Sequence, residues 1–134
     1  IVVTTGIASI FLTKDCTPDY NSGLAHAVFY AMTAYPVIEE RHLHGEVVGF
    51  GVLLALLVDQ QEKAFEDIYR LNKAIHLPTS LEEIEITQEQ WKECMKRIPH
   101  MSDVAHYPYP VTEDMLNAAM ERLEERNRKF LQMI

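Results

Sequence analysis

Apolar residues recur at three- and four-residue spacing through much of this chain, a period that predicts helices rather than strands. An amphipathic helix that stops before Pro78 is predicted by five apolar positions: Phe65, Ile68, Tyr69, Leu71 and Ile75. A last helix is predicted by a second set of inward positions: Leu116, Ala119, Met120, Leu123 and Phe130. The pattern therefore predicts an all-α fold built as a multi-helix bundle.

Capping residues mark the starts of two of these helices. Thr87 and Gln90 form a capping-box pattern that opens a helix ending at Pro99. The inward positions of that helix are Trp91, Met95 and Ile98. Thr112 is expected to cap the last helix, since two acidic residues follow it directly, where the helix dipole favours negative charge.

The beginning of the chain is less clearly patterned. Residues 1–12 are mostly apolar and fit a helix or a strand, and we favour a helix. After a loop over residues 15–20, Asn21 or Ser22 is expected to cap a helix that runs to about Ala34 and is ended by Pro36. Residues 39–41, Glu-Glu-Arg, are predicted to form a solvated turn.

The most apolar helix is predicted from about His42 to Gln61. Its residues are apolar on nearly every side as far as Val58, which is typical of a helix at the centre of a bundle. The uninterrupted apolar run covers only residues 47–58, whereas crossing a bilayer takes about 20 residues. We therefore expect a buried helix and no association with a membrane.

Composition limits the fold and the partners. The 134 residues, 48% hydrophobic, suit a single compact domain over residues 1–134. A net charge of −8 argues against binding to nucleic acid or an anionic membrane. Cys16 and Cys94 form no C-x-x-C motif, which suits a reducing cytoplasm. The chain starts with Ile1 rather than Met, so we expect it to begin inside a longer parent protein.

Two of the six histidines stand in apolar company. His26 lies among small and hydrophobic residues, and His44 lies at the entry to the central helix. A buried imidazole needs a partner for its acceptor nitrogen, and either a neighbouring polar group or a metal ion would serve. Gly45, Gly49 and Gly51 each cost a helix about 1 kcal/mol relative to Ala. Close helix packing or the close approach of a ligand would offset that cost.

A third metal ligand is not evident in the sequence. Neither Glu46 nor Asp19 is clearly placed to complete a set of three ligands, and His42 should point away from His44 on a helix. The remaining histidines, His76, His100 and His106, are expected at the surface, although the loop over residues 99–111 could line a cleft. No nucleotide-binding glycine motif occurs, and no strand–helix alternation.

Two motifs resemble the glycerol dehydrogenase branch of the iron-containing (group III) alcohol dehydrogenase family. They are L-A-H-A at 24–27 and H-G-E-V-V-G-F-G at 44–51. Y-N-S at 20–22 and P-Y-P-V-T at 108–112 extend the resemblance. It covers the whole chain but only the C-terminal helical domain of that family.

The resemblance implies a metal centre shared between two domains. His26 and His44 match the two metal-binding histidines of the family's C-terminal domain. An N-terminal nucleotide-binding domain would supply an Asp ligand and the NAD contacts, upstream of Ile1. The metal would be zinc or, as in other branches, iron. Family members commonly carry a further histidine near the substrate, where this chain has Phe29 and Tyr30.

The implied activity is the oxidation of a small alcohol or polyol by a cytoplasmic enzyme, expected to be a homo-oligomer. The metal would act as a Lewis acid on the substrate hydroxyl, and hydride would pass to the nicotinamide. The chain alone would be incomplete for this reaction. A helical interaction or scaffold domain that keeps the fold without catalysis is the alternative.

Overall fold

The computed structural model describes residues 23–105 and 107–133. This part of the chain is all-α and contains no strand, which confirms the predicted fold class. Its α-helices are α1 (Leu24–Met32), α2 (Pro36–Arg41), α3 (His44–Val58), α4 (Glu62–Ala74), α5 (Gln88–Arg97) and α6 (Glu113–Gln132). Short 3-10 helices at Ile98–His100 and Ser102–Val104 connect α5 to the loop before α6. The predictions for residues 1–12, 15–20 and 106 lie outside the described residues.

Helix α3 is the centre of the bundle, as predicted. It packs against α1, α4 and α6, and its buried residues are Val47, Phe50, Gly51, Leu53, Leu54, Leu57 and Val58. The helix is shorter than the predicted span because it begins at His44 and ends at Val58. No described helix is both long and apolar enough to cross a membrane.

The contact between α1 and α3 depends on Gly51. A Cβ atom at this position would lie 2.6 Å from the carbonyl oxygen of Ala25 and 3.0 Å from its Cα. Only glycine lets the two helix backbones approach this closely. Close packing therefore offsets the cost of Gly51, and it fixes α1 against α3 one residue away from His26.

The two predicted threonine caps are confirmed. The Thr87 hydroxyl accepts a hydrogen bond from the Gln90 backbone N–H at 3.1 Å, and the Gln90 side chain accepts one from the Thr87 N–H at 2.9 Å. The Thr112 hydroxyl accepts from the Met115 N–H at 3.2 Å. Helix α5 ends at Arg97, and Pro99 lies within the 3-10 turn that follows.

The region between α1 and α3 corrects two predictions. The N-cap of α1 is Gly23 rather than Asn21 or Ser22, and the helix ends at Met32. Residues 39–41 are exposed, as expected, but they belong to α2 rather than to a turn. Pro36 explains the difference, because a proline that ends one helix is also well suited to the first position of the next.

Helix α4 confirms part of the predicted apolar pattern. Phe65 and Tyr69 are buried and Ile68 is partly buried against the core, whereas Leu71 and Ile75 are exposed. Leu71 lies about 120° around the helix from the buried stripe, and Ile75 is the C-cap residue beyond the helix end. Asn72 takes the inward position, where its amide donates to the Gly49 carbonyl at 3.5 Å.

Candidate metal centre

His26 is placed by the tight contact between α1 and α3. It is the third residue of α1 and is half-buried, with Ala25 and Ala27 on either side of it in the chain. The small side chains let α3 pass close to α1, and Gly51 sets the distance between the two backbones. The imidazole is thus carried by a well-fixed part of the fold.

His44 is the first residue of α3 and is exposed. The structure brings it next to His26, with 5.7 Å between the ring centroids. The ring of Phe29 packs against the His44 ring, with the centroids 4.3 Å apart and the planes at 52°. Two histidines that are 18 positions apart in the chain therefore share one surface.

The separation of the two imidazoles fits a shared metal ion. Zinc–nitrogen bonds of about 2.0–2.1 Å and tetrahedral angles would place the centroids of two bound imidazoles roughly 5 Å apart. The observed separation of 5.7 Å is close to this value. Both residues can offer neutral nitrogen donors, which zinc and iron accept.

A complete ligand set is not present in the described part of the chain. No group of three His, Cys, Asp or Glu side chains is close enough there to hold a metal ion. Glu46, which the sequence did not clearly place in a ligand set, lies 3.4 Å from the Nδ1 of His42. Asp19, of which the same was said, lies outside the described residues. The centre as seen here is a pair of imidazoles.

His42 lies beside this pair without joining it. Its Nε2 is 3.0 Å from the Glu85 carboxylate. His42 and His44 do not lie on one helix, as the sequence argument assumed, because His42 is the C-cap residue of α2 and His44 begins α3. Glu85 was not singled out by the sequence, because it is 43 positions away from His42 and no local pattern links the two.

Phe29 and Tyr30 form an aromatic margin around the two histidines. Phe29 contacts His44, as above, while the Tyr30 ring centroid lies 6.2 Å from that of His26. Tyr30 is 45% exposed, so this margin is open to solvent on the side of His26.

The loop before α6 covers the start of α1. Tyr107 has a ring carbon 3.7 Å from where a Cβ at Gly23 would lie. Tyr109 donates a hydrogen bond to Asp59 at 3.0 Å, and burial together with this bond raises the pKa of Tyr109 to about 12. His76 and His100 are exposed, as expected, and neither belongs to the pair.

Comparison with known proteins relates the chain to dehydrogenases. It is 31% identical over 104 residues to hydroxycarboxylate dehydrogenase A of Escherichia coli, covering 75% of this chain and 28% of that protein. It is 32% identical over 111 residues to a glycerol dehydrogenase of Thermotoga maritima, covering 78% and 30%. A glycerol dehydrogenase of Pseudomonas putida is 39% identical over 67 residues, covering 48% and 18%.

The chain spans less than a third of the length of these relatives. No family model matches it. The relatives nevertheless support, at the level of the family, the resemblance to glycerol dehydrogenase-like enzymes.

Proposed function

We propose that residues 1–134 are the C-terminal helical domain of an NAD-dependent alcohol or polyol dehydrogenase of the glycerol dehydrogenase type. In this proposal His26 and His44 supply two of the ligands of a divalent metal, zinc in preference to iron. The observation that carries the proposal is the approach of these two imidazoles to 5.7 Å on neighbouring helices. The similarity of the chain to dehydrogenases over about three quarters of its length supports the same assignment.

The two histidines contribute in different ways. His26 is half-buried on a helix that Gly51 holds in place, so it supplies a fixed nitrogen donor. His44 is exposed at the start of a helix and its ring packs against Phe29, so it would supply a nitrogen ligand that a second domain can approach. When bound, the metal would polarise a substrate hydroxyl and so favour hydride transfer to the nicotinamide.

The remaining parts of the site would come from outside this chain. An N-terminal nucleotide-binding domain would supply the Asp ligand and the NAD contacts, consistent with the relatives being more than three times as long as the matched segment. Phe29 and Tyr30 would lie on the substrate side. Phe29 packs against His44 there, and the exposed Tyr30 lies beside His26. The substrate would be a small alcohol or polyol, and the whole enzyme a cytoplasmic homo-oligomer.

Zinc titration of this chain tests the metal assignment. Competition with a chromophoric chelator should show one zinc per chain, with binding weakened at least tenfold in His26→Ala and in His44→Ala. His100→Ala is the matched control, because His100 is an exposed histidine on the 3-10 turn after α5. Equal affinity in wild type and both site variants would overturn the metal assignment and favour a non-catalytic scaffold domain.

The activity is tested on the longer protein that contains this segment. With NAD, zinc and glycerol or a related polyol, we expect hydride transfer that His44→Ala abolishes and His100→Ala retains. A turnover that is unchanged by His44→Ala would contradict the proposed role.

A further inference from the structure

We propose that Glu85, acting through His42, positions His44 for metal binding. The inference rests on the proposed function, because His44 is a metal ligand only in that proposal. Glu85 and His42 would be positioning residues rather than ligands. Their effect would be to hold the first turn of α3 in place.

The start of α3 lacks the usual means of fixing a helix end. Its N-cap is Leu43, which makes no side-chain capping bond and is 72% exposed. Gly45 follows His44, and a Cβ there would have no atom of the described residues within 4 Å beyond its own helix turn. An apolar cap and a glycine in open space both favour fraying of the first helical turn. His44 is the first residue of that turn.

His42 ties this turn to a distant part of the chain. Its side chain is only 10% exposed, and its Nε2 lies 3.0 Å from the Glu85 carboxylate. Its Nδ1 lies 3.4 Å from Glu46, within the first turn of α3. The imidazole thus bridges the segment around Glu85 and the start of α3.

Glu85 occupies a backbone position that would suit glycine better, so the presence of a carboxylate there needs a reason. Its φ is +60°, a left-handed conformation that glycine adopts at little cost and glutamate does not. Glu85 also pairs with Arg41 at 3.0 Å, but the Arg41 side chain is 66% exposed, and ion pairs of such exposed side chains contribute little. The contact with the buried side of His42 is the better reason for a carboxylate at this position.

The backbone strain also supplies a clean test. Glu85→Gly relieves the unfavourable φ and removes the carboxylate. If the carboxylate has no positioning role, this variant should have an equal or higher melting temperature and an unchanged site. Gln60→Gly is the matched control, because Gln60 is exposed and also has a left-handed φ, of +58°. Glu85→Gln keeps an oxygen that can accept from His42 and serves as the conservative variant.

The readout is the orientation of the His44 ring in the metal-free chain, measured by NMR. Wild type should show nuclear Overhauser contacts between the rings of Phe29 and His44, whose centroids are 4.3 Å apart. We expect these contacts to be lost or strongly reduced in Glu85→Gly and in His42→Ala, with no further loss in the double variant. They should be kept in Gln60→Gly and largely restored in Glu85→Gln. Unchanged contacts in Glu85→Gly would overturn the inference.

Zinc affinity separates this inference from the proposed function. Glu85→Gly should weaken zinc binding about tenfold, whereas Gln60→Gly should not. If zinc binding depends on His26 and His44 but not on Glu85, the metal assignment stands and the positioning role is wrong. If zinc binding is independent of both histidines, the metal assignment fails, and the ring contacts of His44 still decide whether Glu85 orders this turn.

Discussion

The middle and the start of helix α3 are held in place very differently. Midway along α3, Gly51 brings the helix backbone against Ala25, and the surrounding side chains are buried. At its start, α3 has an apolar cap at Leu43 and open space around Gly45. One helix therefore combines a rigid middle with a lightly held first turn.

The difference matches the roles that we assign to the two histidines. His26 lies beside the rigid contact and would keep its place in the absence of metal. His44 lies on the lightly held turn and would need Phe29, His42 and Glu85 to stay in register. A site completed by a second domain gains from this arrangement, because one ligand is fixed and the other can adjust as the domains meet.

Breaking the rigid contact should have the largest effect. In Gly51→Ala the new Cβ would meet the Ala25 backbone, so the two helices must separate. We expect a loss of about 2–3 kcal/mol in the free energy of unfolding, in the range typical of overpacked cores. Urea unfolding followed by circular dichroism measures it, and zinc binding should weaken in parallel because His26 moves with α1.

Gly45→Ala is the matched control at the other end of the helix. Among the described residues the added methyl group would meet no atom within 4 Å, so we expect the higher helix propensity of alanine to dominate. The variant should be as stable as wild type or more stable by up to about 1 kcal/mol. A similar loss of stability in both alanine variants would remove the contrast between the two regions.

The helices that flank the rigid middle should respond to acid. Glu66 on α4 accepts hydrogen bonds from Arg126 on α6 at 2.7–2.9 Å, and Arg126 holds the pKa of Glu66 below its usual value of 4.5. Because the pKa is lower in the folded state, the stabilisation is complete above about pH 4.5 and is lost as the pH falls through the folded value. At neutral pH, Glu66→Gln should cost about 1 kcal/mol.

This cost should shrink on acidification. Measured by urea unfolding between pH 6 and pH 3, the difference in unfolding free energy between wild type and Glu66→Gln should become smaller as the pH falls below about 4.5. Glu40→Gln, which changes an exposed carboxylate on α2, should show no comparable pH dependence. A constant cost of Glu66→Gln over this range would show that the ion pair does not stabilise the contact between α4 and α6.

The lightly held turn can be tightened by a single change. Leu43→Ser places a hydroxyl at the N-cap of α3 and, with Glu46 three residues later, creates a capping-box sequence. Since Leu43 is exposed, little packing is lost, and we expect a gain of about 0.5–1 kcal/mol. Leu43→Ala, which supplies no cap, is the control. Equal stability of the two variants would mean that this turn is already well fixed.

Local patterns predicted most of the helices because their signals lie within a few residues. The capping box at Thr87, the cap at Thr112 and the apolar run of α3 all belong to this class, and the structure confirms them. Pro36 shows the limit of such signals, since the sequence pattern predicts that it ends one helix, whereas in the structure it also begins the next. In α4 the pattern found the inward positions Phe65, Ile68 and Tyr69, but it included the exposed Leu71 and did not include the buried Asn72.

The candidate site divides in the same way. His26 and His44 were identified from their motifs, and the structure brings their rings to 5.7 Å, although no local pattern gives that distance. The sequence showed that Gly51 needs an explanation but not that Ala25 supplies it. Glu85 was missed altogether, because its pairing with His42 depends on how the chain folds over 43 positions.

X-ray absorption at the zinc edge tests the central claim most directly. With one equivalent of zinc bound to this chain, we predict scattering from two imidazoles at about 2.0–2.1 Å, completed by oxygen ligands. His26→Ala and His44→Ala should each lose one imidazole from the zinc, and the double variant should lose both. An imidazole count that stays the same in the double variant would contradict the assignment of the metal to His26 and His44.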